Sequence, residues 1–297
     1  MDAHTKTAGV LPGTKDIGTF EEPVLVCGGA YSNFEALSAL MDAASSHGIP
    51  PGRIIHTGDA VAYCADPAAT SALLRDSGVH CIQGNVEESL SESLPDCGCG
   101  FDEDSVCNRL AAEWFAYADA QIGGDLRRWM ADMPPHLTFA ISGRRVRVVH
   151  GAVSSTNRFM FASLPDSEFE HEINGTQADM VVAGHSGIPF TRRIGRRVWH
   201  NSGSLGMPAN DGTPRAWYSV IVPDNGTVRI HHHALDYDHE RAAARMRAEG
   251  LCPGYADALV SGLWPSLDIL PEAEKSMSGV ALDLSPEICW PAAAAYA

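Results

Sequence analysis

An α/β sandwich, two packed sheets flanked by helices, is the fold class that this sequence predicts. Strands and helices alternate through its first third, and a succession of strands follows. Several strands also end in glycine beside a polar residue, the usual edge of a parallel sheet with a site on it. "PVLVCGG" reads as a buried strand, and an amphipathic helix follows from about Phe34 to His47. "RIIHTGD" is the second strand, with a helix near Pro67 to Asp76, and "VHCIQGN" is the third. Residues from about Glu103 to Met133 read as helical and stop at Pro134-Pro135. "LTFAISG" and "RRVRVVHG" form an expected hairpin around Gly143. "MVVAGHSG", "FTRRIG", "RRVWHNSG", "RAWYSVIVP" and "TVRIHHHAL" then supply a second sheet packed on the first. From Asp238 the chain turns helical in "DHERAAARMRAEG" and "GYADALVSGLW", and the Ala-rich stretch after Pro271 reads as loosely ordered. The expected organisation is one large domain over 22–240 with a helical insert at about 95–135, then a C-terminal helical extension and tail over 241–297.

The chain has 297 residues, 45% apolar and 20% charged, so it can bury a sizeable core. Its formal charge of -16 repels phosphate backbones and speaks against nucleic acid as a partner. No basic-then-apolar start precedes Pro23 and no apolar run is long enough to span a bilayer, so no membrane role and a cytoplasmic location are expected. In that compartment the eight cysteines are expected to be mostly reduced thiols or metal ligands and not a disulfide framework. Oligomeric state is not legible.

Four strand ends carry chemistry: Gly58-Asp59, Gly84-Asn85, His150-Gly151 and Gly184-His185. Each follows an apolar run. Glycine lets backbone and metal approach closely, and mixed oxygen and nitrogen donors suit Zn, Mn or Fe. A lone strand-end histidine is usually structural, but Asp, Asn, His, His in that order is hard to obtain by chance.

"GDAVAYCADPAAT", "GNVEESL", "VVHGAVS", "VVAGHSGIPFTR" and "WHNSGSLGMPANDGTPRAWYSVI" together resemble the calcineurin-like metallophosphoesterases, in particular the small bacterial phosphodiesterase-like branch. The resemblance runs from about Pro23 to Leu235 and implies an αββα sandwich with two metal ions bridged by an aspartate. Asp59, Asn85, His150 and His185 fall on one complete metal position. The other position lacks its ligands: D-x-H on the first strand becomes Gly29-Ala30-Tyr31, and the second His of GHTH becomes Gly187. Val86 stands where the family often has a histidine credited with protonating the leaving group, although other branches lack it too.

The expected cofactor is therefore one divalent transition metal ion, and one ion suffices for hydrolysis because it lowers the pKa of its water from 15.7 to about 7. The missing ion's duty would fall on Tyr31, Ser32, the Gly28-Gly29 amides, His200 or Asn201. Tyr31 could equally be a ring filling the vacated space, over a Gly28-Gly29 backbone closed to residues with a Cβ. Arg158 either reaches a substrate phosphate or decorates the surface. Cys97, Cys99 and Cys107 could hold a structural Zn with Cys64 or Cys81, or pack as thiols; Cys64 could also be a soft ligand of the catalytic ion. His231 and His233 share a strand face and could form a minor metal site. The insert is expected to cover the site as a cap. A metal-dependent hydrolase of a small phosphoester is the leading expectation. A non-hydrolytic binding relative, or an enzyme using the ion for other, possibly redox, chemistry, is the alternative.

Overall fold

The computed structural model describes residues 12–285 and 287–290. Two six-stranded sheets face each other. One has the order β1-β5-β6-β7-β9-β8, from Thr14–Phe20, His136–Ile141, Arg144–Val148, Met180–Ala183, Arg197–Asn201 and Phe190–Ile194. The other runs β12-β11-β10-β2-β3-β4, from Ile288–Trp290, Thr227–Leu235, Ala216–Asp224, Val24–Cys27, Ile54–His56 and His80–Cys81. β2, β3 and β4 pair in parallel, as expected of strands separated by helices. β5 and β6 form the expected hairpin.

The inner faces meet through Val24, Val26, Ile55 and Ile82 from one sheet and Leu137, Val146, Val148 and Val182 from the other, all at most 1% exposed. Their β-branched bulk suits a face buried on both sides of the strand. Helices cover the outer faces. α1 (Phe34–Ser46) is capped by Asn33, whose side chain accepts from Ala36 N, and it buries Leu37 and Leu40 on one stripe. α2 (Pro67–Ser77) ends at Gly78, in the left-handed conformation that glycine favours. α4 (Val106–Gln121) and α5 (Gly124–Ala131) make up most of the expected insert.

Several elements differ from the sequence reading. Asn85 does not end a strand; it opens a helix, α3 (Asn85–Glu92), because β4 stops at Cys81. β1 and α6 (Asp166–Asn174) were not expected, and the stretch after Pro271 is more ordered than expected. It holds a short helix, Glu272–Ser276, and β12, whose Trp290 is fully buried between the sheets. The final alanines lie outside the described residues. α7 (His239–Ala248) and α8 (Pro253–Ser261) pack on the domain, α7 against α1. Among the described residues no helix is long and apolar enough to cross a membrane.

Candidate metal centre

The loops at the carboxyl ends of β3 and β7, the start of α3 and the turn after β6 bring Asp59, Asn85, His150 and His185 together. Asp59 and His185 both adopt positive φ, 61° and 58°, which turns their side chains inward where the strands stop. Glycines make the approach possible. A Cβ on Gly58 would stand 2.7 Å from His150 Nδ1, and one on Gly84 would stand 2.4 Å from Asp59 Oδ1.

His150 is the hub. Its Nδ1 lies 2.6 Å from the Thr57 carbonyl, which can only accept, so Nδ1 carries the proton. Nε2 then faces Asp59 Oδ2 at 3.1 Å, Asn85 Oδ1 at 3.0 Å and His185 Nδ1 at 3.2 Å. Asn85 is held oxygen-inward because its Nδ2 donates to Cys97 O at 2.8 Å. Converging acceptors repel one another unless a proton or a cation stands among them. A divalent ion fits this donor set, and among the described residues Asp59, His150 and His185 form the only such cluster of His, Cys, Asp and Glu.

The electrostatics agree. Burial pushes Asp59 upward, yet the facing His150 holds its carboxyl below the usual range. Burial pushes His150 downward, but the Asp59 carboxylate and the Thr57 carbonyl raise it overall. His185 is held down to about 3 by burial and then by His150, so it stays a neutral ligand.

Glu87, absent from the sequence reading, anchors this loop. Its carboxylate accepts from the backbone N–H groups of Asp59, Ala60 and Gly84 at 2.8, 2.8 and 2.9 Å. Burial and the neighbouring Asp59 pull it up to about 7. The spacing "GNVE", an acid at the third position of a helix, was the available signal.

Rings stand against Gly29 and Gly187, two positions where the resemblance would place ligands of a second ion. A Cβ on Gly29 would stand 2.2 Å from Tyr31 Cε1, and one on Gly187 would stand 3.2 Å from Trp264 Cζ2. Gly28 and Gly29 are closed by contact and not by φ, since neither has positive φ; Gly28 would collide with the Gly203 carbonyl at 2.0 Å. The left-handed residues of the opening loop are Tyr31 and Ser32. Tyr31 lines a cavity of about 60 Å³ with Asp59 and His185. The insert contributes Cys99, Phe101, Cys107 and Trp114 to its wall, as a cap would, and the C-terminal extension contributes Tyr255 and Trp264. Neither Tyr63, Tyr255 nor Trp264 stood out in the sequence, where they read as ordinary core.

The remaining candidates lie elsewhere. Ser32 Oγ accepts from Ala62 N at 3.3 Å, tying the opening loop to the one that carries Asp59. Asn201 donates to Gly184 O at 2.8 Å and accepts from Gly203 N at 2.9 Å, so it braces the His185 turn. His200 is fully buried and shares Thr191 Oγ1 with His232, a link between the sheets and not a cavity group. Arg158 is engaged by Glu168 and Glu172 of α6. The structural zinc is corrected: Cys97 and Cys99 form a disulfide with each other, an exception to the mostly reduced thiols expected. Cys64 points its thiol at Gly206 O, and Cys81 and Cys107 are separate buried thiols. His231 faces Glu287 and His233 stacks on Tyr218, so neither joins a metal cluster.

The family model for the calcineurin-like phosphoesterase superfamily domain matches residues 26–224. Among solved structures, a metallophosphoesterase from Sphaerobacter thermophilus is 20% identical, with a TM-score of 0.65 over 82% of this chain and 100% of its own. A hypothetical protein from Pyrococcus horikoshii OT3 is 17% identical, with a TM-score of 0.66 over 82% and 99%. These likenesses concern the fold. A search of curated proteins returned no match.

Proposed function

The chain belongs to the calcineurin-like phosphoesterase superfamily, and from that membership we propose that it is a metal-dependent hydrolase of small phosphoesters that works through one divalent transition metal ion, Mn, Fe or Zn. Asp59, Asn85, His150 and His185 hold the ion. The observation that carries this reading is the convergence of Asp59 Oδ2, Asn85 Oδ1 and His185 Nδ1 on His150 Nε2, all within 3.0–3.2 Å. When bound, such an ion supplies an acidified water and polarises the phosphoryl oxygen. The chain's own groups do the rest. The Thr57 carbonyl fixes the His150 tautomer so that Nε2 faces inward, and Glu87 fixes the Asp59 turn. The aromatic wall thins out competing water around the reacting group. Tyr31 is the polar side chain best placed to take over part of the second ion's duty, since its ring lies in the opening loop and lines the cavity.

A second reading has its own support. Tyr31 and Trp264 stand against the two glycines that replace ligands, which also suits a relative that binds an ion and a ligand without turnover, or uses the ion for other chemistry. Elemental analysis of protein purified without added metal, paired with hydrolysis of both bis(p-nitrophenyl) phosphate and diethyl phosphate under Mn, Fe or Zn, separates the two. One ion per chain with metal-dependent turnover supports the hydrolase. One ion without turnover on any phosphoester supports the binding relative, and two ions per chain refute the single-ion site.

A further inference from the structure

The reshaped half of the site has a chemical preference of its own. Tyr31, Tyr63, Trp114, Phe159, Tyr255 and Trp264 line the cavity beside Asp59 and His185, and among the described residues no lysine or arginine lines it. Asp59 is its one carboxylate. A divalent ion beside that carboxylate, with neutral Asn85, His150 and His185 and with the Glu87 carboxylate behind the Asp59 turn, leaves at most a single positive charge. A monoanionic phosphodiester balances it. A dianionic monoester or a polyphosphate would leave unpaired negative charge against apolar rings, where desolvation is costly.

Size narrows the choice further. The cavity holds about 60 Å³, well below the roughly 150 Å³ that encloses a benzene, so beside the ion it takes one ester group and not a whole diester. The rings pack against one another, Tyr31 on Tyr63 at 5.0 Å and Tyr63 on Tyr255 at 4.5 Å, so little room is left to open between them. Resting on the phosphoesterase reading above, we propose that the site selects monoanionic phosphodiesters with a compact apolar ester group and rejects nucleotides and bulky aryl esters. In the reaction a water oxygen bonds to phosphorus, the P–O bond to one ester group breaks, and the released alcohol takes a proton from the water. The products are a phosphomonoester and an alcohol.

Trp114 and Trp264 lie in the wall, so intrinsic fluorescence reports occupancy without reference to turnover. The metal-loaded full chain is titrated with dimethyl, diethyl and diphenyl phosphate and with ATP. Each extra buried methylene should tighten binding about fourfold, so diethyl phosphate should exceed dimethyl by at least that factor. Diphenyl phosphate and ATP should bind weaker than diethyl phosphate by about tenfold or more, as overfilling a packed space costs. Trp264→Ala should open the cavity and recover diphenyl phosphate binding. Tyr255→Leu, which removes a ring from the same wall, should do so in part and serves if the first variant does not fold. Equal affinity for dimethyl and diethyl phosphate, or ATP as the tightest ligand, overturns the proposal. An ethyl preference without any hydrolysis would keep this selectivity and refute the hydrolase reading. Hydrolysis that ignores the ester group would do the reverse.

Discussion

Introducing the second set of ligands that the resemblance implies, by Gly29→Asp, Tyr31→His and Gly187→His together, tests whether the opening loop is damaged or redesigned. In the parent, a side chain at 29 collides with the Tyr31 ring at 2.2 Å, but Tyr31→His shortens that ring, so this clash is relieved within the triple variant. Histidine also tolerates the φ of 49° at position 31. Three costs remain. Gly187 sits at φ +72° with Trp264 3.2 Å from its would-be Cβ, which adds strain of about 1–3 kcal/mol. The edge contact of Tyr31 with Tyr63 is lost, about 0.5–1.5 kcal/mol. A carboxylate enters a buried position with no ion assured beside it, about 1–3 kcal/mol or more. The total is roughly 3–7 kcal/mol, and at about 2–4 °C per kcal/mol the melting temperature should fall by about 6–28 °C. Differential scanning calorimetry measures this, with metal stoichiometry read on the same samples. A triple variant that melts with the parent, binds two ions and hydrolyses bis(p-nitrophenyl) phosphate faster would refute the reasoning.

Three further outcomes are expected. Asp59→Ala and His185→Ala should each abolish metal retention by elemental analysis while far-UV circular dichroism stays that of the parent, because both side chains sit at loop turns and not in the inter-sheet core. Reducing Cys97–Cys99, or replacing both with Ser, should loosen the Cys97 carbonyl that orients Asn85; metal affinity should fall about 10- to 100-fold by competition with a chelator, and unchanged affinity would mean that the loop keeps its shape without the bond. His56 and His232 are each held down to about 4, mainly by burial, and stay neutral in the fold. The unfolded rings take up protons below about 6.5, so the stability these two rings contribute should fall as pH drops from about 6.5 to 4 and level off below, where His185, held down to about 3, continues the loss. Each ring contributes up to about 3 kcal/mol of that loss, checked by urea midpoints at pH 5 and 7 and by a flatter profile in His232→Asn.

Much of this was legible because glycine and polar residues mark strand ends. Asp59, His150 and His185 follow apolar runs and were found from that pattern alone, while Asn85 was found with the wrong element, since "CIQGN" does not reveal that pairing stops at Cys81 and a helix starts. β1 escaped notice because "TKDIGTF" has no buried face, every position being exposed or intermediate. β12 is only three residues long, and its Trp290 matters through a partner strand distant in sequence. Arg158 could have been placed: the acidic helix "DSEFEHE" follows it closely and supplies both of its carboxylates. The cavity wall could not, because Tyr63, Trp114, Tyr255 and Trp264 have the composition of ordinary core and become a site only through docking of segments far apart in the chain.

Trp264, which stands over Gly187, imposes an order on synthesis. Every proposed metal ligand, from Asp59 to His185, precedes it along the chain, and α8 with the ring after it emerges later from the ribosome. At on the order of 5–20 residues per second, a delay of several seconds separates the ligand-bearing strands from their cover. On the proposed reading, an ion that arrives in that window meets the ligand residues without the Trp264 ring over Gly187. Once the extension docks, Trp264 and Tyr255 narrow the path to them.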